Sequence, residues 1–382
     1  MKKRLWILLY GLLAFLLAAG GCGKTDKSKN GSAADGIESI KWDNWTYFDE
    51  GIVYSNPMTR RAEYYDYETK HYMPLCVRAN CRHLPNDENC MAVRLTMNSM
   101  VGKSGDSWLY LADNGVGRSF MQCDLDGANE KEVVEFDHLI ENRGCIFTDD
   151  SIIVATWEVE MDEEGEDCVY VCGIYRIKIK TGEVETICPA TKEKIPRYLL
   201  AGVYENKLVY REWTEAGMTI RMVDMENGEE SKPLGDREIG WNDCIVAGEE
   251  LICTEQLENH NEILSHALVV NLKTGEIRQI MDFGQVDVGP KIYWGEKEKF
   301  LRVTKKEGGK SYAITYRYQE ETGCQFLREG LWCEELEVLS VKDGTVIGRV
   351  GDIGDETLMF DMATISLEDY LAGKSNWEML EY

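Results

Sequence analysis

The stretch Ile174-Tyr175-Arg176-Ile177-Lys178-Ile179-Lys180-Thr181-Gly182-Glu183-Val184-Glu185-Thr186-Ile187-Cys188 sets the architecture of this chain. Ile174, Arg176, Lys178 and Lys180 fall on one side of an alternating run, and Tyr175, Ile177 and Ile179 on the other. Successive side chains of a strand point to opposite faces, so the second set is buried while the first, mostly charged, meets water. Thr181 and Gly182 turn the chain, Gly supplying the positive φ of a tight hairpin. Val184 to Cys188 returns as the partner strand.

The same unit recurs at Tyr64 to Cys76, Met121 to Val134, Ile220 to Leu234, Ala267 to Met281 and Leu336 to Val350, with a weaker copy at Ile365 to Leu380. An apolar run precedes each clear copy, as at Trp108 to Ala112 or Lys207 to Trp213, so each repeat holds about four strands. Measured at Lys70, Gly127, Gly182, Gly228, Gly275 and Gly344, the steps are 57, 55, 46, 47 and 69 residues. Four-stranded repeats of ~40 to 50 residues are the signature of propeller blades. The expectation is an all-β fold, a β-propeller of four-stranded antiparallel blades, seven preferred and six the alternative. A β-sandwich lacks a recurring turn at this period. Pairing of the N- and C-terminal strands would close the ring and remove open sheet edges. Trp42, Trp45 and Tyr47 are expected to pack between blades.

Residues 1–21 read as a signal peptide: Lys2, Lys3 and Arg4, then an apolar run from Leu5 to Ala19, short for a membrane span. Ala19-Gly20-Gly21-Cys22 resembles the bacterial lipobox, which implies cleavage before Cys22 and acylation of its thiol. Residues 22–36 are polar and make a flexible tether, and the propeller domain occupies 37–382. The expected address is the outer face of the bacterial cell membrane, with the lipid bilayer engaged through acylated Cys22. The formal charge is -26. That field repels phosphates, and no basic stripe interrupts it, so nucleic acid is excluded as a partner class.

Cys76, Cys81, His83 and Cys90 place three thiols and an imidazole in one short segment. Thiolates and a neutral imidazole are the ligands of structural zinc. The spacing lacks a C-x2-C knuckle and the chain is read as exported, so disulfide pairing within the cluster is an equally physical reading. Cys244 with Cys253, and Cys324 with Cys333, are spaced to face each other across hairpins.

The run Tyr64-Tyr65-Asp66-Tyr67-Glu68-Thr69, followed by Pro74-Leu75-Cys76 and Cys81-Arg82-His83, resembles exported lipoproteins of Gram-positive anaerobes that carry TolB-like propellers. Asp124-Leu125-Asp126-Gly127-Ala128-Asn129 is similar to the turn of TolB-like blades. The resemblance implies a propeller that binds something and transfers no catalytic residue. No G-x-S-x-G, H-E-x-x-H, C-x-x-C-H or G-x-G-x-x-G in context is present. The acidic run Glu158 to Asp167 reads as a solvated loop.

The expected function is a lipid-anchored extracytoplasmic binding or scaffold module for a protein, peptide or glycan partner, rather than an enzyme. The alternative is a polysaccharide hydrolase or lyase with carboxylates at the propeller channel. The long step before Gly344 suggests an inserted loop, whose Phe326, Arg328 and Trp332 are candidate partner contacts.

Overall fold

A computed structural model describes residues 37–380 except 43–44, 57–58, 85–86, 88, 97–99, 114–117, 137, 162–167, 194–197, 215–216, 236–243, 260–261, 296 and 354–357. The leader, Cys22 and the tether lie outside the described residues, as does most of the acidic run.

The chain opens with β1 (Ile37–Trp42), β2 (Trp45–Phe48), β3 (Gly51–Asn56), β4 (Arg61–Asp66) and β5 (Tyr72–Pro74). Helix α1 (Met91–Thr96) leads to β6 (Val101–Ser104), β7 (Ser107–Asp113), β8 (Arg118–Asp124) and β9 (Lys131–Glu135). Next come β10 (Ile140–Thr148), β11 (Ser151–Met161), β12 (Cys168–Lys178) and β13 (Val184–Glu193), then β14 (Tyr198–Tyr204), β15 (Lys207–Thr214), β16 (Gly217–Asp224) and β17 (Glu230–Ser231). The run continues with β18 (Cys244–Ala247), β19 (Glu250–Asn259), β20 (Glu262–Asn271) and β21 (Ile277–Gln285), and with β22 (Val288–Trp294), β23 (Lys299–Glu307), β24 (Lys310–Gln319) and β25 (Gly323–Leu331). It ends with β26 (Glu337–Lys342), β27 (Thr345–Ile353), β28 (Leu358–Ser366), α2 (Leu367–Leu371) and β29 (Glu378–Met379).

The fold is all-β, with four-stranded antiparallel blades in a propeller arrangement. Five blades stand as separate sheets: β6–β9, β14–β17, β18–β21, β22–β25 and β26–β29. This differs from the seven, or six, separate blades expected. The remaining strands form one nine-stranded sheet, because β1 bonds along both edges, to β10 and to β2, and so fuses the runs β2–β5 and β10–β13. The expected pairing of terminal strands is also corrected. Both edges of β1 are already used, and β29 bonds to β28.

Each blade is packed on both faces, which corrects the reading of Ile174. Ile177 and Tyr175 pack against Leu109, Leu111 and Phe120 of the preceding blade, whereas Ile174 is fully buried against Tyr198, Leu200 and Leu208 of the next. A strand between two neighbours has no fully wet side, so strict in/out alternation fails.

The repeating turn is longer than the two residues expected. Lys178 N–H bonds to Glu183 O, and Gly182 N–H back to Lys178 O. The same pair of bonds forms at Asp66/Lys70, Asp224/Gly228 and Asn271/Gly275, and the fifth residue of each turn has positive φ. An Asp or Asn at the first position accepts local amides: Thr69 N–H to Asp66 at 2.7 Å and Thr274 N–H to Asn271 at 2.8 Å. The last copy differs from its expected place, since Gly344 turns the first hairpin of its blade, β26–β27. The equivalent turn lies at Gly323, between β24 and β25, so the long step holds no insertion.

Candidate functional site: a three-thiol, one-imidazole cluster beside a groove

The cluster occupies the link between β5 and β6. Cys76 follows the last residues of β5, Cys81 and His83 sit on the connecting loop, and Cys90 immediately precedes α1. Asn80 (φ 64°) and His83 (φ 50°) both take left-handed backbone, which folds the loop back on itself. Arg61 donates to the His83 carbonyl at 3.3 Å. Helix α1 was not foreseen. Its Met91 and Leu95 pack with Leu75, Val53, Ala62, Trp108 and Tyr110, joining the β2–β5 and β6–β9 runs beneath the cluster.

The structure brings all four sequence-predicted residues together. One ligand atom from each of Cys76, Cys81, His83 and Cys90 lies within 4.8 Å of all the others, and Cys90 Sγ is 3.5 Å from His83 Nδ1. All three cysteines are free. Donors ~2.3 Å from a tetrahedral ion sit about 3.8 Å from one another, so this spacing fits a single metal ion. Burial opposes ionisation of the Cys76 thiol, but the amides of Arg78 and Met91 and the thiols of Cys81 and Cys90 donate to it, and its pKa is lowered. For Cys90, burial dominates and pushes the pKa up to about 12. A cation would reverse that balance by replacing the proton. Soft sulfur donors with one imidazole suit zinc-type ions and not calcium or magnesium, whose ligands are oxygens.

A groove of about 450 Å³ adjoins the cluster. Its wall is an aromatic stack: Phe48 lies 5.8 Å from Tyr64 and 5.7 Å from Trp108, ring centre to ring centre. The parts are fixed by hydrogen bonds, Tyr64 OH to Asp66 at 3.0 Å and Trp108 Nε1 to the Leu125 carbonyl at 3.3 Å. Glu50, Asp66 and Asp106 give the rim negative charge, and Lys103 is paired with Glu50 at 2.9 Å. Val77, next in sequence to Cys76, is 65% exposed on the lip, with Met73 and Leu125 also exposed there.

The other candidate contact residues do not form a loop. Phe326 is exposed, but Gly323–Leu331 is strand β25 and Arg328 is buried. Its guanidinium pairs with Glu335 at 2.6 Å, donates to Lys374 O and Ser375 Oγ, and stacks on Trp377, while the Trp332 carbonyl accepts from Arg302. These contacts hold α2 and the chain end to the β22–β25 blade. The buried carboxylates Glu212 and Glu335 and the half-buried Glu337 likewise bridge to Arg221, Arg328 and Arg349. No helix of the described residues is long and apolar enough to cross a membrane.

No family model and no curated protein sequence matches the chain. Solved structures do. Acylaminoacyl peptidase from Pyrococcus horikoshii is 12% identical with a TM-score of 0.52, covering 91% of this chain and 52% of its own. Oligogalacturonate lyase from Vibrio parahaemolyticus is 10% identical with a TM-score of 0.48, covering 85% and 92%. TolB from Acinetobacter baumannii is 12% identical with a TM-score of 0.38, covering 85% and 76%. At these identities the likeness is one of fold alone.

Proposed function

We propose that the chain is a lipid-anchored, extracytoplasmic propeller that binds a protein partner of the cell envelope, and that Cys76, Cys81, His83 and Cys90 hold a structural zinc ion. The occupant of the groove is a basic peptide segment carrying apolar side chains. Aromatic and aliphatic surface takes the apolar groups, and the Glu50, Asp66 and Asp106 rim takes the cationic ones.

The observation that carries this reading is Val77: an aliphatic side chain held open to water on the lip of the groove, one residue from a cluster ligand. Zinc at the cluster supplies cross-linking and no catalytic step, since four protein donors fill a tetrahedral shell. The enzyme alternative needs facing carboxylates free to act. Glu212, Glu335 and Glu337 are paired with arginines and do not supply such a pair.

The test compares two synthetic peptides on the purified chain, one alternating Lys and Leu, the other Lys alone. Saturable binding of the first only, lost in Val77→Arg and in Asp106→Lys, is expected. Equal binding of both peptides, unchanged by either substitution, would sink the groove assignment.

A further inference from the structure

Cys244 and Cys253 lie directly opposite each other on β18 and β19, with their Sγ atoms 3.3 Å apart and both residues fully buried. Gly248 and Glu249 turn this hairpin, and Ala247 and Glu250 close it. The closing pair of a two-residue hairpin exchanges both backbone hydrogen bonds, and bonded and non-bonded pairs then alternate. Cys244–Cys253 is three pairs further on, at a non-hydrogen-bonded position. Such pairs have their Cα atoms ~4.5 Å apart, inside the ~4.4 to 6.8 Å that a disulfide spans.

The surroundings point the same way. The two thiols sit among Val209, Ile220, Leu251 and Val270, between the β14–β17 and β18–β21 blades. Among the described residues they do not join a group of three or more metal-ligating side chains, unlike Cys76, Cys81 and Cys90. We propose that Cys244 and Cys253 close a cross-strand disulfide as the chain folds, so that the protein divides its thiols between a metal cluster and a covalent hairpin staple. The reaction is exchange with a low-molecular-weight or protein disulfide. One cysteine thiolate attacks the oxidant's S–S bond and releases one thiol. The second cysteine then attacks the mixed disulfide and releases the other, so two cysteine thiols are oxidised and one external disulfide is reduced.

The hydrogen bond that the Cys253 thiol gives to Cys244 and complete burial both hold its pKa well above the usual value once the blades have packed. Exchange therefore belongs to the open chain. The folded, reduced protein is slow to oxidise.

The experiment refolds the full chain from denaturant with zinc and a mixture of reduced and oxidised glutathione, and needs no knowledge of where the protein resides. The product is unfolded without reductant, alkylated and cleaved after glutamate, which separates the two cysteines at Glu249 and Glu250. The expected result is a linked peptide pair with both cysteines unalkylated, formed at least tenfold faster when the oxidant is present during folding than when it is added afterwards. Reductant should lower the melting midpoint by several degrees, with no such drop in the Cys244→Ala/Cys253→Ala double variant. Alkylation of both cysteines in the refolded chain, or an equal reductant response in the double variant, would overturn the assignment.

Discussion

The Tyr67 hydroxyl donates to Ser340 Oγ at 3.0 Å, joining the first four-strand run to the last across 273 residues of sequence. Around it, Trp45, Ile52, Tyr54 and Tyr65 pack against Leu339, Ile347 and Met362. The ends of the fold thus meet through side chains. An interface of this kind stabilises by apolar burial, so its loss is felt as a cavity. Ile347→Ala is expected to cost about 2 to 5 kcal/mol and Tyr67→Phe about 1 kcal/mol, read as shifts in the urea unfolding midpoint. An unchanged midpoint in Ile347→Ala would mean that the two runs fold independently.

Glu337 connects that interface to charge. It is half-buried, with Oε1 3.0 Å from Arg349 and Oε2 3.3 Å from Arg302. Burial opposes its ionisation, but the two guanidiniums outweigh burial and lower its pKa. A folded pKa below the unfolded ~4.3 means stability that is fully present above that value and is lost as pH falls through the folded pKa. Glu337→Gln is expected to cost about 1.5 to 3 kcal/mol at pH 7, because it removes the negative charge that Arg302 and Arg349 both face. The difference from wild type should shrink below about pH 4. A difference that stays constant with pH would show that the carboxylate is not ionised in the fold.

The periodicity at Ile174 is enough to find the blades, because a turn with positive φ at its fifth residue recurs at Lys70, Gly182, Gly228 and Gly275, opened by Asp66, Lys178, Asp224 and Asn271. The role of β1 was not legible. Its six residues look like any short strand, and bonding on both edges depends on partners far away in the chain. Gly344 misled for a related reason. The first and third hairpins of a blade can both turn at Gly, as at Gly248 and Gly275, and only the sheet shows which is which. For the site, spacing singles out Cys76, Cys81, His83 and Cys90, but their convergence rests on Asn80 and His83 in left-handed backbone, which these residue types tolerate and spacing alone does not fix. The groove was missed because Phe48, Tyr64 and Trp108 belong to three different strands. Residue type alone singles out Phe326, Arg328 and Trp332, and Arg328 is buried.

Strand β1 also reaches the β6–β9 blade through one side chain. Ser39 Oγ accepts from Lys103 N–H at 2.9 Å and donates to the Lys103 carbonyl at 3.0 Å, and Ser39 is buried. Ser39→Ala leaves both groups of Lys103 without that partner, at a cost of about 1 to 3 kcal/mol. Hydrogen exchange should quicken at the Lys103 amide in this variant. Exchange as slow as wild type would mean that another group protects it.

The metal cluster and the groove share a backbone: Cys76 is a ligand, Val77 is the lip, and Leu75 packs under α1 with Met91 and Leu95. Without an ion, three thiols and an imidazole in close contact have little to hold them, since their mutual hydrogen bonds are weak. Cys81→Ser is therefore expected to lose stoichiometric zinc, measured by elemental analysis, and to lower the melting midpoint. Cys81 lies on the loop away from the groove lining, so the variant alters no groove side chain. If zinc holds the lip in place, this variant and the chelator-treated wild type should both bind the Lys/Leu peptide at least tenfold more weakly, and zinc should restore binding only to wild type. Full zinc content in Cys81→Ser would remove that residue from the ligand set. Unchanged peptide binding after complete zinc loss would separate the clip from the groove and leave the ion a purely structural role.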